Sequence, residues 1–162
     1  MKTDKITLIS IISLVVLVVI LMVAAPGKNS QSNKVEAVAT SALVADKELF
    51  DFGEIDIFGG KVTTQFSLTN NGSEDITILA GTTSCACTDA DIGGITFGMH
   101  ERMKDTLVVP AGGTENMNVI YDPLAHGPDA TGLIQRSVFL KTNSDMTPEV
   151  EVRIKAMVIK NE

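Results

Sequence analysis

Both cysteines of this 162-residue chain stand two positions apart, in the stretch TTSCACTDADIGGITFGMHERMKD from Thr82 to Asp105. Thiolates and thioethers are soft donors that select monovalent copper, and imidazole joins them readily. Cys85 and Cys87 are followed within one connecting segment by Met99, His100 and Met103. A copper(I) site of two thiolates capped by methionine or histidine is therefore the first candidate, with copper(I) as the only cofactor that these residues suggest. On an extended strand, residues two apart point to the same side, which would aim both sulfurs at one ion. A helical turn at MHERM would put Met99 and Met103 on one face. Structural zinc asks for a fourth donor of similar quality, and the other imidazole is His126, in the DPLAHG turn.

The same residues have other readings. Cysteines are often buried as small hydrophobes, and methionines fill gaps in cores. A disulfide between Cys85 and Cys87 would close a very small ring, which strain makes easy to reduce, and would point to redox sensing or exchange. Metal, redox and structural readings stay open at this level. Hydrolysis has less to stand on. Cys87 or Ser84 can be paired on paper with His100 or His126, yet no nucleophile elbow or cysteine-hydrolase signature surrounds them. Asp89 and Asp91 beside the cysteines read as solvated turn carboxylates. No catalytic residue is assigned, and the chain is not expected to be an enzyme.

The elements that must position these side chains read as strands. From Glu48 onward, short alternating runs are broken by Gly, Asn, Asp and Pro. VTTQFSLTN places Val62, Thr64, Phe66 and Leu68 on one face, and DITILA does so with Ile76 and Ile78. Met117, Val119 and Tyr121 align next, then Ile134, Val138 and Leu140, then Val150, Val152, Ile154, Ala156 and Val158. In the last run Glu151, Arg153 and Lys155 occupy the other face, marking one wet side. The pairs Gly59–Gly60, Gly93–Gly94 and Gly112–Gly113 fall between strand-like runs and read as turns, not as phosphate cradles, since no helix follows them. Asn70 and Asn143 end strands, where their side chains can bond local backbone. About seven strands without a convincing amphipathic helix predict an all-β, immunoglobulin-like antiparallel β-sandwich.

Ahead of that domain, Ile6 to Ala25 runs twenty residues without a charge. At about 1.5 Å per residue such a helix spans roughly 30 Å of hydrocarbon. Its length exceeds the apolar core of a cleaved signal, about 7 to 15 residues, so an uncleaved signal anchor is the reading preferred. The organisation expected is a stub over 1–5, a transmembrane anchor over 6–25, a flexible linker over 26–43 and the sandwich over 44–162. A short stub before a long domain favours export, placing the domain on the periplasmic or extracellular side of the inner membrane. The chain carries a formal charge of −7. Beyond Val44, nine Lys and Arg stand against eighteen Asp and Glu. That balance argues against nucleic-acid binding, which needs basic patches, and suits solubility.

Several motifs also come in a familiar order: FDFGEI near Phe50, FSLTNNGSEDITIL from Phe66, TSCACT from Thr83, PAGG, VIYDP from Val119, and VFLKTNS from Val138. This order resembles a bacterial immunoglobulin-like family of unknown function, related in architecture to Hydin and major-sperm-protein sandwiches. The resemblance covers roughly Leu49 to Ile159. It implies the fold and an envelope setting, and supplies no activity. Two departures are visible: Ala86 stands where the family has glycine between the cysteines, and the DIGGITFGMHERMKDTL connection is longer. The functional expectation is a membrane-tethered, non-enzymatic module that contacts an envelope protein, with copper(I) binding or delivery as the alternative.

Overall fold

A computed structural model describes residues 38–100 and 102–161. The transmembrane anchor read at 6–25 lies outside the described residues, as do the stub and most of the linker. Two five-stranded sheets face each other. One contains β1 (Leu43–Ala45), β3 (Val62–Asn70), β8 (Thr114–Tyr121), β5 (Thr88–Ile92) and β6 (Ile95–Gly98), in that order. The other contains β2 (Leu49–Asp56), β10 (Glu149–Ile159), β9 (Gly132–Thr142), β4 (Ile76–Thr83) and β7 (Leu107–Val109). All pairings are antiparallel except β2 with β10, which is parallel. The count exceeds the seven strands read from the sequence because three-residue β1 and the short β5 and β6 that follow the cysteines carry no run long enough to read as strands. Among the described residues no helix is long and apolar enough to cross a membrane.

The predicted faces pack as the alternation requires. Phe66, Leu68, Ile76, Ile78, Met117, Val119, Tyr121, Val138, Leu140, Val152, Ile154, Ala156 and Val158 form the shared core between the sheets. Each strand gives every second side chain to that core, so apolar surface leaves water from both sheets at once. The long connection after the cysteines becomes the β5–β6 hairpin, turned at Gly93 and Gly94, whose φ values of 58° and 78° fit the mirror-image turn that hairpins favour. Phe97 of β6 is buried against Gly81 of β4, where an added Cβ would lie 2.7 Å from the ring. Glycine there lets the ring lie flat on the opposite sheet.

The last residues of the segment read as a tether are docked on the sandwich. Ala39 makes a parallel bridge to Ser144, Leu43 is buried, and Ser41 accepts from the Glu74 amide at 2.9 Å. Ordered structure thus begins before Val44.

Asn70 does more than end β3. It is fully buried, and its Nδ2 reaches Glu74 O at 2.8 Å, Val109 O at 3.0 Å and Pro110 O at 3.1 Å. Its Oδ1 accepts from Gly72 N at 3.1 Å. One side chain therefore satisfies carbonyls from the β3–β4 turn and from β7 in the other sheet. Leaving such groups buried and unpaired costs roughly 1 to 3 kcal/mol each. Asn70→Ala should lower unfolding free energy by about 2 to 4 kcal/mol in urea titrations, while exposed Asn71→Ala stays within about 0.5 kcal/mol. Equal small losses in both variants would refute this account of the turn.

Candidate functional site around Cys85 and Cys87

The chain leaves one sheet at the end of β4 and enters the other at the start of β5, and residues 84–87 make that crossing. The backbone here is a turn, not the extended strand on which a shared side for both sulfurs was expected. Thr88 N donates to Cys85 O at 3.1 Å, and Asp122 N donates to Cys87 O at 2.9 Å. The buried Thr83 hydroxyl lies 2.8 Å from Thr88 O and 3.0 Å from Cys85 O, so it closes the turn from inside. Ser84 ties the crossing to β9 through Ser84 N to Ser137 O and Ser137 N to Ser84 Oγ, both 2.9 Å. Ala86 fits without strain, because no described non-glycine residue takes a positive φ.

Cys85 and Cys87 are joined by a disulfide, with Cα atoms 5.2 Å apart. The sulfurs sit in unequal surroundings. Cys87 is 2% exposed, whereas Cys85 is partly exposed at the rim. His126, in the turn after β8, places Nε2 3.2 Å from Cys85 Sγ. Arg136 of β9 places Nε 3.3 Å from Cys87 Sγ, and its Nη1 donates to Gln135 O at 2.8 Å. Among the described residues no carboxylate lies within ion-pairing distance of Arg136.

The ligand atoms of Cys85, Cys87 and His126 lie within 4.8 Å of one another. No other cluster of three His, Cys, Asp or Glu forms such a group among the described residues. Of the residues read as copper donors, the structure brings the two cysteines together and places the rest differently. His100 is exposed just past β6 and outside that group. Met103 is buried in the core, with its amide facing Gly81 O at 3.5 Å. Met99 is 47% exposed and lines a cavity of about 440 Å³ with Arg102, Phe139, Lys141 and Glu149, not with the sulfurs. Asp89 is exposed, and Asp91 accepts from Thr96 Oγ1 at 3.3 Å within the hairpin, as turn carboxylates do.

Arg136 was missed in the sequence, although a signal for it existed. It falls at the inward position of β9 between Ile134 and Val138, where the alternation calls for an apolar side chain. Its charge reaches the phenol of Tyr121, the chain's one tyrosine. Burial pushes the Tyr121 hydroxyl above its ordinary range, the Arg136 guanidinium pulls it down, and Asp122 pushes it up. A raised phenol favours the folded state with its proton on. That contribution is complete below the unfolded value near 10 and is lost as pH rises through the folded one. With no Trp present, near-ultraviolet phenolate absorbance reports Tyr121 alone. Its midpoint should lie above about 10 in the folded protein and rise further in Arg136→Gln. A midpoint that falls or stays fixed on that substitution would place the guanidinium elsewhere.

Comparison with known proteins bears on the fold and the family. A protein of unknown function from Porphyromonas gingivalis W83 is 16% identical, matched over 78% of this chain and 51% of its own, with a TM-score of 0.58. The chain thus spans about half of that structure. A family 123 glycoside hydrolase from Clostridium perfringens matches at 7% identity over 76% of this chain and 28% of its own, with a TM-score of 0.53. The PapD-like domain 7 of human CEP192 is 13% identical over 80% of this chain and 94% of its own, with a TM-score of 0.48. For the Porphyromonas and Clostridium proteins, at these identities, the likeness is one of fold. No curated protein matches the chain. The family described as protein of unknown function (DUF1573) matches residues 43–158, most of the chain, and the chain belongs to it.

Proposed function

We propose that this protein is a non-enzymatic interaction domain of the bacterial envelope, tethered through Ile6–Ala25 and acting by protein contact. One observation carries the reading. The outward face of β10 runs Glu149, Glu151, Arg153, Lys155 and then Met157, so the wet face turns apolar at one end. Met157 is 40% exposed and pairs across the strands with Leu133 of β9, which is 72% exposed. Phe58, 55% exposed, follows the end of β2, with the Lys160 ammonium over its ring. Single exposed apolar residues are ordinary, but two facing each other across a central strand pair are costly unless covered. The partner chemistry that fits is a small apolar protein surface.

The sheet edges favour this face over strand addition. β1, β6 and β7 are only 3, 4 and 3 residues long. β2 is longer but carries Asp51, Glu54 and Asp56 and bends at Gly53, whose φ is 69°. Short, charged and bent edges resist pairing with another chain.

A second reading rests on the ligand group of Cys85, Cys87 and His126: in the reduced protein these three atoms can hold copper(I). His126 then replaces Met99, His100 and Met103 as the third donor.

Photo-cross-linking in intact cells, with the full chain carrying the reactive side chain at position 133 or 157, should give a discrete protein adduct. The same group at Lys141 or Glu151 should not. Adducts of equal yield at all four positions, or none, would sink the interaction reading. For copper, anaerobic titration of the reduced full chain in detergent should show one-to-one binding, weakened about tenfold or more by Cys85→Ser, Cys87→Ser and His126→Gln and unchanged by Met99→Leu. Binding indifferent to His126→Gln would end the second reading.

A further inference from the structure

The geometry points to a thiol–disulfide exchange site at Cys85–Cys87, in which Cys85 is the sulfur attacked and Arg136 receives Cys87 as a thiolate. This inference stands apart from the apolar face on β9 and β10 and does not need a metal.

Arg136 is hard to explain by the oxidised state. An inward-facing guanidinium with no carboxylate partner among the described residues directs Nε–H at a disulfide sulfur, a neutral and weak acceptor. The acceptor that suits that donor is a thiolate, since hydrogen bonds to an ionised partner are roughly twice as strong as neutral ones. Of the two sulfurs, Cys87 is the one with a guanidinium N–H within hydrogen-bond reach, so Cys87 is the sulfur on which the departing electron pair is held. Access agrees with this assignment. Cys87 is 2% exposed beneath the crossing, while Cys85 is partly open at the rim beside exposed His126. The ring is also as short as the sequence permits for this pair, with one residue between the cysteines, and small-ring disulfides open easily.

The exchange balances with a low-molecular-weight or protein thiol as reductant. The external thiolate attacks Cys85 Sγ, forming an S–S bond to Cys85. The Cys85–Cys87 bond breaks, and its electron pair leaves on Cys87, held by Arg136 Nε–H. A second external thiolate attacks the external sulfur of that mixed disulfide. The external disulfide departs, and the Cys85 thiolate takes a proton from solvent. Two thiols are oxidised to one disulfide, and the protein disulfide is reduced to a thiol and a thiolate. His126, with Nε2 3.2 Å from Cys85 Sγ, acts as a positioning group there.

Two measurements on the full chain in detergent test this. The oxidised protein is mixed with glutathione, quenched by a fast alkylating agent, and mapped by peptide mass. Glutathione should be found on Cys85 with the alkyl group on Cys87. The reverse pattern, or a disulfide that millimolar glutathione leaves intact, overturns the proposal. Equilibration in glutathione redox buffers then gives the half-reduction point. Arg136→Gln should require about tenfold more reducing conditions, about 30 mV for a two-electron couple, whereas Arg136→Lys, which keeps the charge, should move it less than about threefold. An unmoved midpoint in a folded Arg136→Gln protein overturns the role of Arg136. Should that variant fail to fold, the mapping on the unsubstituted chain decides alone.

Discussion

The sandwich depends on the chain passing from one sheet to the other between β4 and β5 without leaving its backbone groups unpaired. A crossing at the end of a two-layer core cannot use the ladder bonds of either sheet, so each amide and carbonyl must find another partner. Here the partners are the Thr83 hydroxyl, the Ser137 backbone, the Asp122 amide and the turn closed on Cys85 O. Among the described residues no buried polar side-chain atom lacks a hydrogen bond. The disulfide lies within this crossing, with Cys87 buried in the core.

That constraint explains why the chemistry collects at this end. The turn after β8 and the inward side of β9 both arrive where the chain changes sheets. His126 comes from the first and Arg136 from the second, one to each sulfur. The two sulfurs thus differ in surroundings: Cys85 is partly buried beside exposed His126, and Cys87 is buried beside the half-buried Arg136. A guanidinium beside two thiolates would also offset the net negative charge of a copper(I) dithiolate, so Arg136 is compatible with either chemistry. The outer face of β9 and β10 lies on the other side of the same strands that supply Arg136. One strand pair thus presents a charged interior feature and an apolar exterior one.

Much of the core was legible in the sequence because its strands alternate strictly. Val138 and Leu140, Met117 and Val119, and the whole inward row of β10 were placed by period alone. The same period placed Arg136 inside, but a charged residue in an apolar row is invisible to a search for apolar rows. The turn at Cys85–Cys87 was read as extended, because two residues at spacing two look alike on a strand and in a tight turn. Nearness in sequence to a cysteine pair does not by itself set a side chain's surroundings, because the hairpin β5–β6 intervenes between the pair and the methionines. Met103 returned to the core, and Met99 went to the rim of a separate cavity.

The sequence by itself determined an all-β sandwich, the inward faces of its longer strands and the concentration of reactive side chains in one short segment, because those follow from local periodicity and composition. Only the tertiary structure decided that His126 and Arg136, 41 and 49 residues from the sulfurs they approach, complete that segment. Such contacts are made by the register of β9 against β4 and by the turn after β8. Register between strands so far apart in sequence is fixed by which inward faces and turns meet in the fold, so no single segment encodes it.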